Sequence, residues 1–232
     1  GQVPSPLLSS FLTGVRLSPI VTIMQISLFL PWALTCFRHT KTLLVQIKSR
    51  IQPKDGVNEY EQTRATLVSE AWGFVGFAAD IYGSDLQTVE NITERRELAT
   101  LYRSNATLFS DRIQAAVDLI KEHPAVNPDQ IALFGYCFGG SGVLQYGMLG
   151  YGTTDVAAIV SFHGGLSAVP EADGTFGPKV LILSGGDDDA SSDIIELEMT
   201  LDAASAPWEI TRYSGIEHAF TVWTDGEFLK GY

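Results

Sequence analysis

The chain has 232 residues, 45% of them hydrophobic, enough to bury one good core and ordinary for a globular enzyme. It carries 15 basic and 27 acidic residues, a formal net charge of -12, which excludes the basic footprint of a nucleic-acid surface. Two cysteines, Cys36 and Cys137, are too few for a disulfide scaffold and suit a reducing, cytoplasmic setting.

In chain order, residues 1-50 form an atypical segment. Residues 17-34 are apolar without alternation, and Arg38, His39, Lys41, Lys48 and Arg50 follow as a positive flank would. A genuine apolar span over residues 17-37 would make the protein membrane-associated or secretory. Pro19 and Pro31 leave between them a stretch sized for a signal-peptide core or a buried helix. Alternatively this end is unrelated to the domain that follows, with Thr42 to Ile47 a makeshift strand.

Residues 51-232 alternate between helical and strand-like runs. Thr63 to Glu70 suits a crossover helix, and Phe74 to Ala78 a strand. Asn91 to Leu108 is a charged excursion rich in helix formers, in which Arg95, Arg96 and Arg103 read as a solvated face. Ile113, Ala116, Val117 and Ile120 give Phe109 to Lys121 helical spacing, ended by Pro124 and Pro128. Asn91-Ile92-Thr93 and Asn105-Ala106-Thr107 match the glycosylation triplet, a pattern common by chance. The alternation predicts a mostly parallel sheet covered on both faces, with a site at the carboxyl ends of its strands.

Gly135-Tyr136-Cys137-Phe138-Gly139-Gly140 has the shape of a nucleophile elbow with sulfur in place of the usual serine hydroxyl. A short apolar strand, Gln130 to Phe134, precedes it, and Ser141 to Met148 reads as a helix beginning beside the turn. Gly135 and Gly139 must lack side chains if the nucleophile is to occupy so tight a turn. The helix would direct its N-terminal dipole at Cys137, favouring a thiolate, and the Phe138 N-H would supply one oxyanion donor. Taken alone, a cysteine at an apolar strand-helix junction is as readily a small core residue.

Order along the chain favours chemistry. Asp155 to Phe162 is a further strand, leading to His163, which reads as a loop histidine with local hydrogen bonds. Lys179 to Ser184 is a β-prone run that empties into Gly185-Gly186-Asp187-Asp188-Asp189, placing a carboxylate at a strand's C-terminal edge. Trp208 to Tyr213 is another strand, followed by Glu217-His218-Ala219-Phe220. Nucleophile, acid and histidine follow one another as in α/β-hydrolases. The aspartate run lacks the glycine and glutamate of a calcium loop, and the glycine run lacks a phosphate-cradle lysine, so neither a metal nor an organic cofactor is expected.

Together G-Y-C-F-G-G, G-G-D-D-D and E-H-A-F resemble the dienelactone hydrolase family, over about residues 55 to 224. The resemblance implies an α/β-hydrolase-type three-layer fold, incomplete at both ends, and a triad of Cys137 as nucleophile, His218 as base and then acid, and Asp188 orienting the imidazole. Asp187 and Asp189 are then solvated neighbours. Asp55 to Tyr60 is similar to the family's loop after its third strand, which makes Lys54 the second oxyanion donor. Asp80-Ile81-Tyr82 matches its D-x-Y exit, and Tyr82 and Trp223 are expected to line the substrate pocket.

Three departures bear on the substrate. Pro53 stands where dienelactone-cleaving members carry a glutamate, and Ser84 and Val222 stand where they carry carboxylate-binding arginines. A hydroxyl and an isopropyl group cannot reproduce a guanidinium clamp. The expected substrate is therefore a small ester, lactone or thioester, cleaved through an acyl-thioester. The alternative is a catalytically impaired fold member serving as a binding or membrane-attached module. Its case rests on Pro53, the N-terminal segment and the lack of a closing helix beyond the histidine motif. A redox thiol enzyme is disfavoured because no resolving cysteine lies near Cys137.

Overall fold

Runs of β-branched and aliphatic residues build a sheet of six parallel strands. They are β1 (Leu43–Ile47), β2 (Val75–Ala78), β3 (Ile131–Tyr136), β4 (Val156–Phe162), β5 (Lys179–Gly185) and β6 (Trp208–Tyr213), in the order β2-β1-β3-β4-β5-β6. The computed structural model describes residues 43-47, 57, 59-83, 92-167, 169-172, 176-224 and 227-228. The helices are α1 (Glu59–Trp72), α2 (Ile92–Ser104), α3 (Ala106–Lys121), α4 (Phe138–Met148) and α5 (Ser191–Ala203). Two short strands, β7 (Trp223–Thr224) and β8 (Glu227–Phe228), pair antiparallel. This is the expected α/β-hydrolase architecture.

Both faces of the central strands are buried, as a parallel sheet between helices requires. On β3, Ile131 and Leu133 join one core with Phe109, Ile113 and Val117 of α3, Val143 and Leu144 of α4, and Leu197 and Leu201 of α5. Ala132, Phe134 and Tyr136 join the opposite core, with Val68 of α1 and Leu181 and Leu183 of β5. A register shift between Ile131 and Ala132 pairs these two residues with Val156 and Ala158. The extra residue on β4 lets Val156 face the first core and Ala158 the second. In the second core Phe74, Tyr213 and Phe220 are partly buried against the buried set.

The makeshift strand at Thr42 to Ile47 is β1, and it lies between β2 and β3. The chain leaves β1 through α1 to β2 on one side and returns through α2 and α3 to β3 on the other. The strand order therefore reverses beside β3, where open α/β sheets place their sites. The charged excursion is α2, and it breaks at Asn105, whose side-chain oxygen accepts the Leu108 N-H at 3.0 Å as the N-cap of α3. Helix α5 was not expected, although Ile194, Leu197 and Leu201 form its buried face. Among the described residues, no helix is long and apolar enough to cross a membrane. Residues 17-37 and Lys54 lie outside the described residues.

Phe109 is fully buried, and its ring stacks 4.4 Å from that of Phe138, directly after the elbow cysteine. Phe109→Ala should lower unfolding free energy by about 3–5 kcal/mol, the usual cost of emptying an aromatic core position. Urea titration should show this as a lower midpoint at unchanged slope.

Candidate active site

The elbow begins with a buried strand that stops abruptly. Cys137 takes φ 52° and ψ -108°, a conformation that is costly for a residue with a side chain, and α4 starts at the next residue. Its N-H donates to the Phe162 carbonyl at 2.9 Å, and its carbonyl accepts the Ser141 N-H at 3.1 Å. A Cβ on Gly135 would stand 2.1 Å from the Gly139 carbonyl oxygen, so neither turn nor helix would survive it. The helix starts three residues earlier than its sequence suggests because Gly139 and Gly140 mask the helical pattern.

Two loops bring up the partners. Gly186 and Asp187 donate their N-H groups to the carbonyls of Tyr213 and Ile216 at 2.6 and 3.0 Å, stitching the loop after β5 to the loop after β6. Asp188 and His218 are thereby carried to the same edge. His218 Nδ1 lies 2.9 and 2.8 Å from the two Asp188 carboxylate oxygens, and Nε2 lies 3.0 Å from Cys137 Sγ. The imidazole bridges acid and thiol.

Charge follows from this geometry. The hydrogen bond to Cys137 is the largest influence on His218; with the sulfur's negative charge and Asp188 it outweighs partial burial and raises the pKa from 6.5 to about 9. At neutral pH the His218 ring therefore carries its proton beside Sγ. Arg103 adds a second cation, with Nη2 3.9 Å from Sγ and Cζ 5.5 Å from the centre of the Phe138 ring. The solvated-face reading is thus corrected for Arg103, whose carbonyl is held by Gln145 Nε2 at 3.1 Å. Arg96 is exposed, as expected.

The other expected residues divide. Phe138 is the first residue of α4, so its N-H has no acceptor within the helix and lies beside the sulfur-bearing residue. Its ring is core. Tyr82 is half-buried against Phe138 and Tyr102, with ring centres 5.3 and 5.4 Å away. Trp223 belongs to β7, and its side chain is outside the described set. Asp187 is exposed, but Asp189 is partly buried and accepts from the Ser184 hydroxyl at 2.7 Å, so it is not a solvated neighbour. Burial raises its pKa above the usual carboxylate range.

His163 also departs from expectation. It is buried, and its Nε2 lies 2.7 Å from Thr221 Oγ1, a partner 58 residues away and not a local one. Thr221 and Arg64, the latter expected only as part of the crossover helix, also lie here, and no sequence signal marks either for the site. Among the described residues, no group of three or more histidines, cysteines or acids is placed to hold a metal ion.

With the site in view, comparison with known proteins is direct. The sequence profile of the dienelactone hydrolase family matches residues 51-229. The chain belongs to the dienelactone hydrolase family. Its members act on ester and lactone bonds, and this chain is such a hydrolase. It is 30% identical over 189 residues to a Synechocystis protein named a carboxymethylenebutenolidase, covering 73% of each chain. It is 25% identical over 177 residues to a Bradyrhizobium protein named a 2-oxo-3-(5-oxofuran-2-ylidene)propanoate lactonase, covering 71% of this chain and 69% of that one. Among solved structures it resembles a dienelactone hydrolase-like promiscuous phosphotriesterase from metagenomic libraries. That match has a TM-score of 0.66 at 25% identity, covering 77% of this chain and 72% of the other. The fold is shared with a dienelactone hydrolase from Anabaena variabilis, with a TM-score of 0.54 at 18% identity over 77% and 76% of the two chains.

An ordinary thiol of pKa near 8.5 loses about 50-fold of its thiolate between pH 8.5 and 6.5. Cys137 alkylation by iodoacetamide should fall less than about 10-fold over that range, because the imidazolium persists until pH rises through about 9. Asp188→Asn should steepen the profile, as read by mass spectrometry of the modified chain.

Proposed function

We propose that residues 51-232 form a hydrolase domain that cleaves small esters and lactones by acyl transfer to Cys137. The observation that carries this reading is the imidazole of His218, within reach of Sγ at 3.0 Å on one side and of Asp188 at 2.8 Å on the other. Sulfur attacks the carbonyl carbon, a C–S bond forms, and the electron pair of the C=O moves to oxygen. The Phe138 N-H meets that oxygen. As the tetrahedral species collapses, His218 gives its proton to the departing alkoxide and leaves an acyl-thioester. Neutral His218 then takes a proton from water, the hydroxide displaces the thiolate, and the imidazolium is restored. Asp188 holds the ring in the tautomer that presents Nε2 to sulfur and offsets the positive charge it carries.

The names of the two relatives favour a lactone as the physiological substrate class, with thioesters as a second class to assay. Arg103 shapes that choice. Its guanidinium lies close enough to Sγ to attract a negative group on the acyl portion, although the chain has Ser84 and Val222 where other members carry arginines. The triad spacing supports catalysis over the impaired-fold alternative.

Turnover of p-nitrophenyl acetate should fall by at least about 10³-fold in Cys137→Ala and by about 10²–10⁴-fold in Asp188→Asn. Folded wild-type protein without turnover on p-nitrophenyl esters, lactones and thioesters would sink the reading. Arg103→Ala should raise KM about 10-fold for a carboxylate-bearing lactone while leaving KM for a neutral ester within about twofold, as steady-state kinetics would show.

A further inference from the structure

The loop that carries His218 has an alignment problem. The His218 side chain is 44% exposed, so burial does not fix it, yet both ring nitrogens must stay within hydrogen-bond reach of their partners. The turn itself is costly: Ala219 has φ 66°, and the Val222 N-H closes back on the Ala219 carbonyl at 2.9 Å. Something beneath the loop has to hold it.

Thr221 is the loop's anchor. It is buried, its hydroxyl meets His163 Nε2 at 2.7 Å, and its carbonyl accepts from Arg64 Nη2. Arg64 is itself locked, donating to the Tyr60 hydroxyl at 2.5 Å with its guanidinium carbon 4.2 Å from the centre of the Tyr136 ring. Tyr136 immediately precedes the nucleophile. The elbow and the histidine loop therefore share one buried support.

His163 completes it. Its backbone takes φ 39°, rare for a residue with a side chain, and its N-H donates to the Leu183 carbonyl at 2.8 Å. Its ring stands edge-on to those of His218 and Phe220, with centres 5.1 Å from each. Among the described residues Nδ1 is buried with no hydrogen-bond partner, and the bond to Thr221 is the one side-chain hydrogen bond the ring makes. A buried, strained histidine with one hydrogen bond to spend on this loop is not explained by packing, which a phenylalanine would serve better.

We propose that His163 is a positioning residue, acting through the Thr221 hydroxyl to fix the height and rotation of the loop that presents His218 to Cys137 and Asp188. The inference rests on the reading of His218 as the base of the hydrolytic reaction. Burial, then the charges of His218 and Arg64, hold the His163 pKa well below 6.5. It stays neutral while His218 is charged, so His163 itself adds no positive charge beside the imidazolium. Among the described residues the other titratable or charged groups around His218 are Cys137, Asp188 and Asp189, with Glu217 adjacent in sequence and Arg103 beyond the sulfur.

The test compares Thr221→Val, Thr221→Ser and His163→Phe in the full chain, using kcat and KM for p-nitrophenyl acetate and the pH profile of Cys137 alkylation. Thr221→Val and His163→Phe should lose about 10- to 100-fold in kcat with KM within about twofold, the cost of a small misplacement of a reacting group. Both should show the alkylation profile of an ordinary thiol. Thr221→Ser, which keeps the hydroxyl, should restore kcat to within about threefold of wild type. Wild-type kinetics and profile in Thr221→Val, or equal loss in Thr221→Ser and Thr221→Val, would overturn the proposal. If His163→Phe does not fold, the Thr221 pair decides alone. Failure of the hydrolase reading looks different: the wild type itself lacks turnover. The alkylation profile then still reports the placement of His218, and an unchanged profile in Thr221→Val overturns the positioning role.

Discussion

The backbone of Cys137 is held where few side-chain-bearing residues go, at φ 52° and ψ -108°, and the site depends on the forces that keep it there. Such a conformation costs of order 1–3 kcal/mol and survives only where its surroundings overdetermine it. Those surroundings are visible. The strand before it is buried on both faces, the Phe138 ring after it is stacked on Phe109, and Gly135 leaves the space that the Gly139 carbonyl fills. Packing energy from α3 and α4 thus holds one buried sulfur atom at the start of a helix.

That sulfur meets converging positive charge. The N-terminus of α4, the His218 imidazolium and the Arg103 guanidinium all favour an anion at Sγ, and each belongs to a different element. Sharing the task matters because a thiolate at an otherwise apolar junction would be expensive to bury. In the proposed acyl transfer to Cys137, the same charges would also meet the oxyanion of the transition state. Arg103 comes from the helix α2, while Ser84 and Val222 stand at the positions where dienelactone-cleaving members of the family have their arginines.

Precision in the histidine comes from below. The loops after β5 and β6 are joined by backbone hydrogen bonds, which bring Asp188 and His218 together, and the buried set of His163, Thr221 and Arg64 sets the loop's height over the elbow. An exposed imidazole is thereby aligned by groups that water does not reach.

The alternation of strands and helices, the glycine-flanked turn at Cys137 and the order of Cys137, Asp188 and His218 along the chain were legible in the sequence, because each is a short-range pattern of hydrophobic period or turn chemistry. The sequence also marked β1, through nothing more than its run of aliphatic residues. Helix α5 was not legible, since its buried Ile194, Leu197 and Leu201 are outnumbered by acids and small residues. Asp189 resembled its solvated neighbour Asp187 because a run of aspartates carries no record of which one meets Ser184. Tertiary structure alone decided the roles of Arg103, His163, Thr221 and Arg64. Their partners lie 34, 58 and 157 positions away along the chain, and a contact at that range is made by the stacking of layers, which no local period encodes.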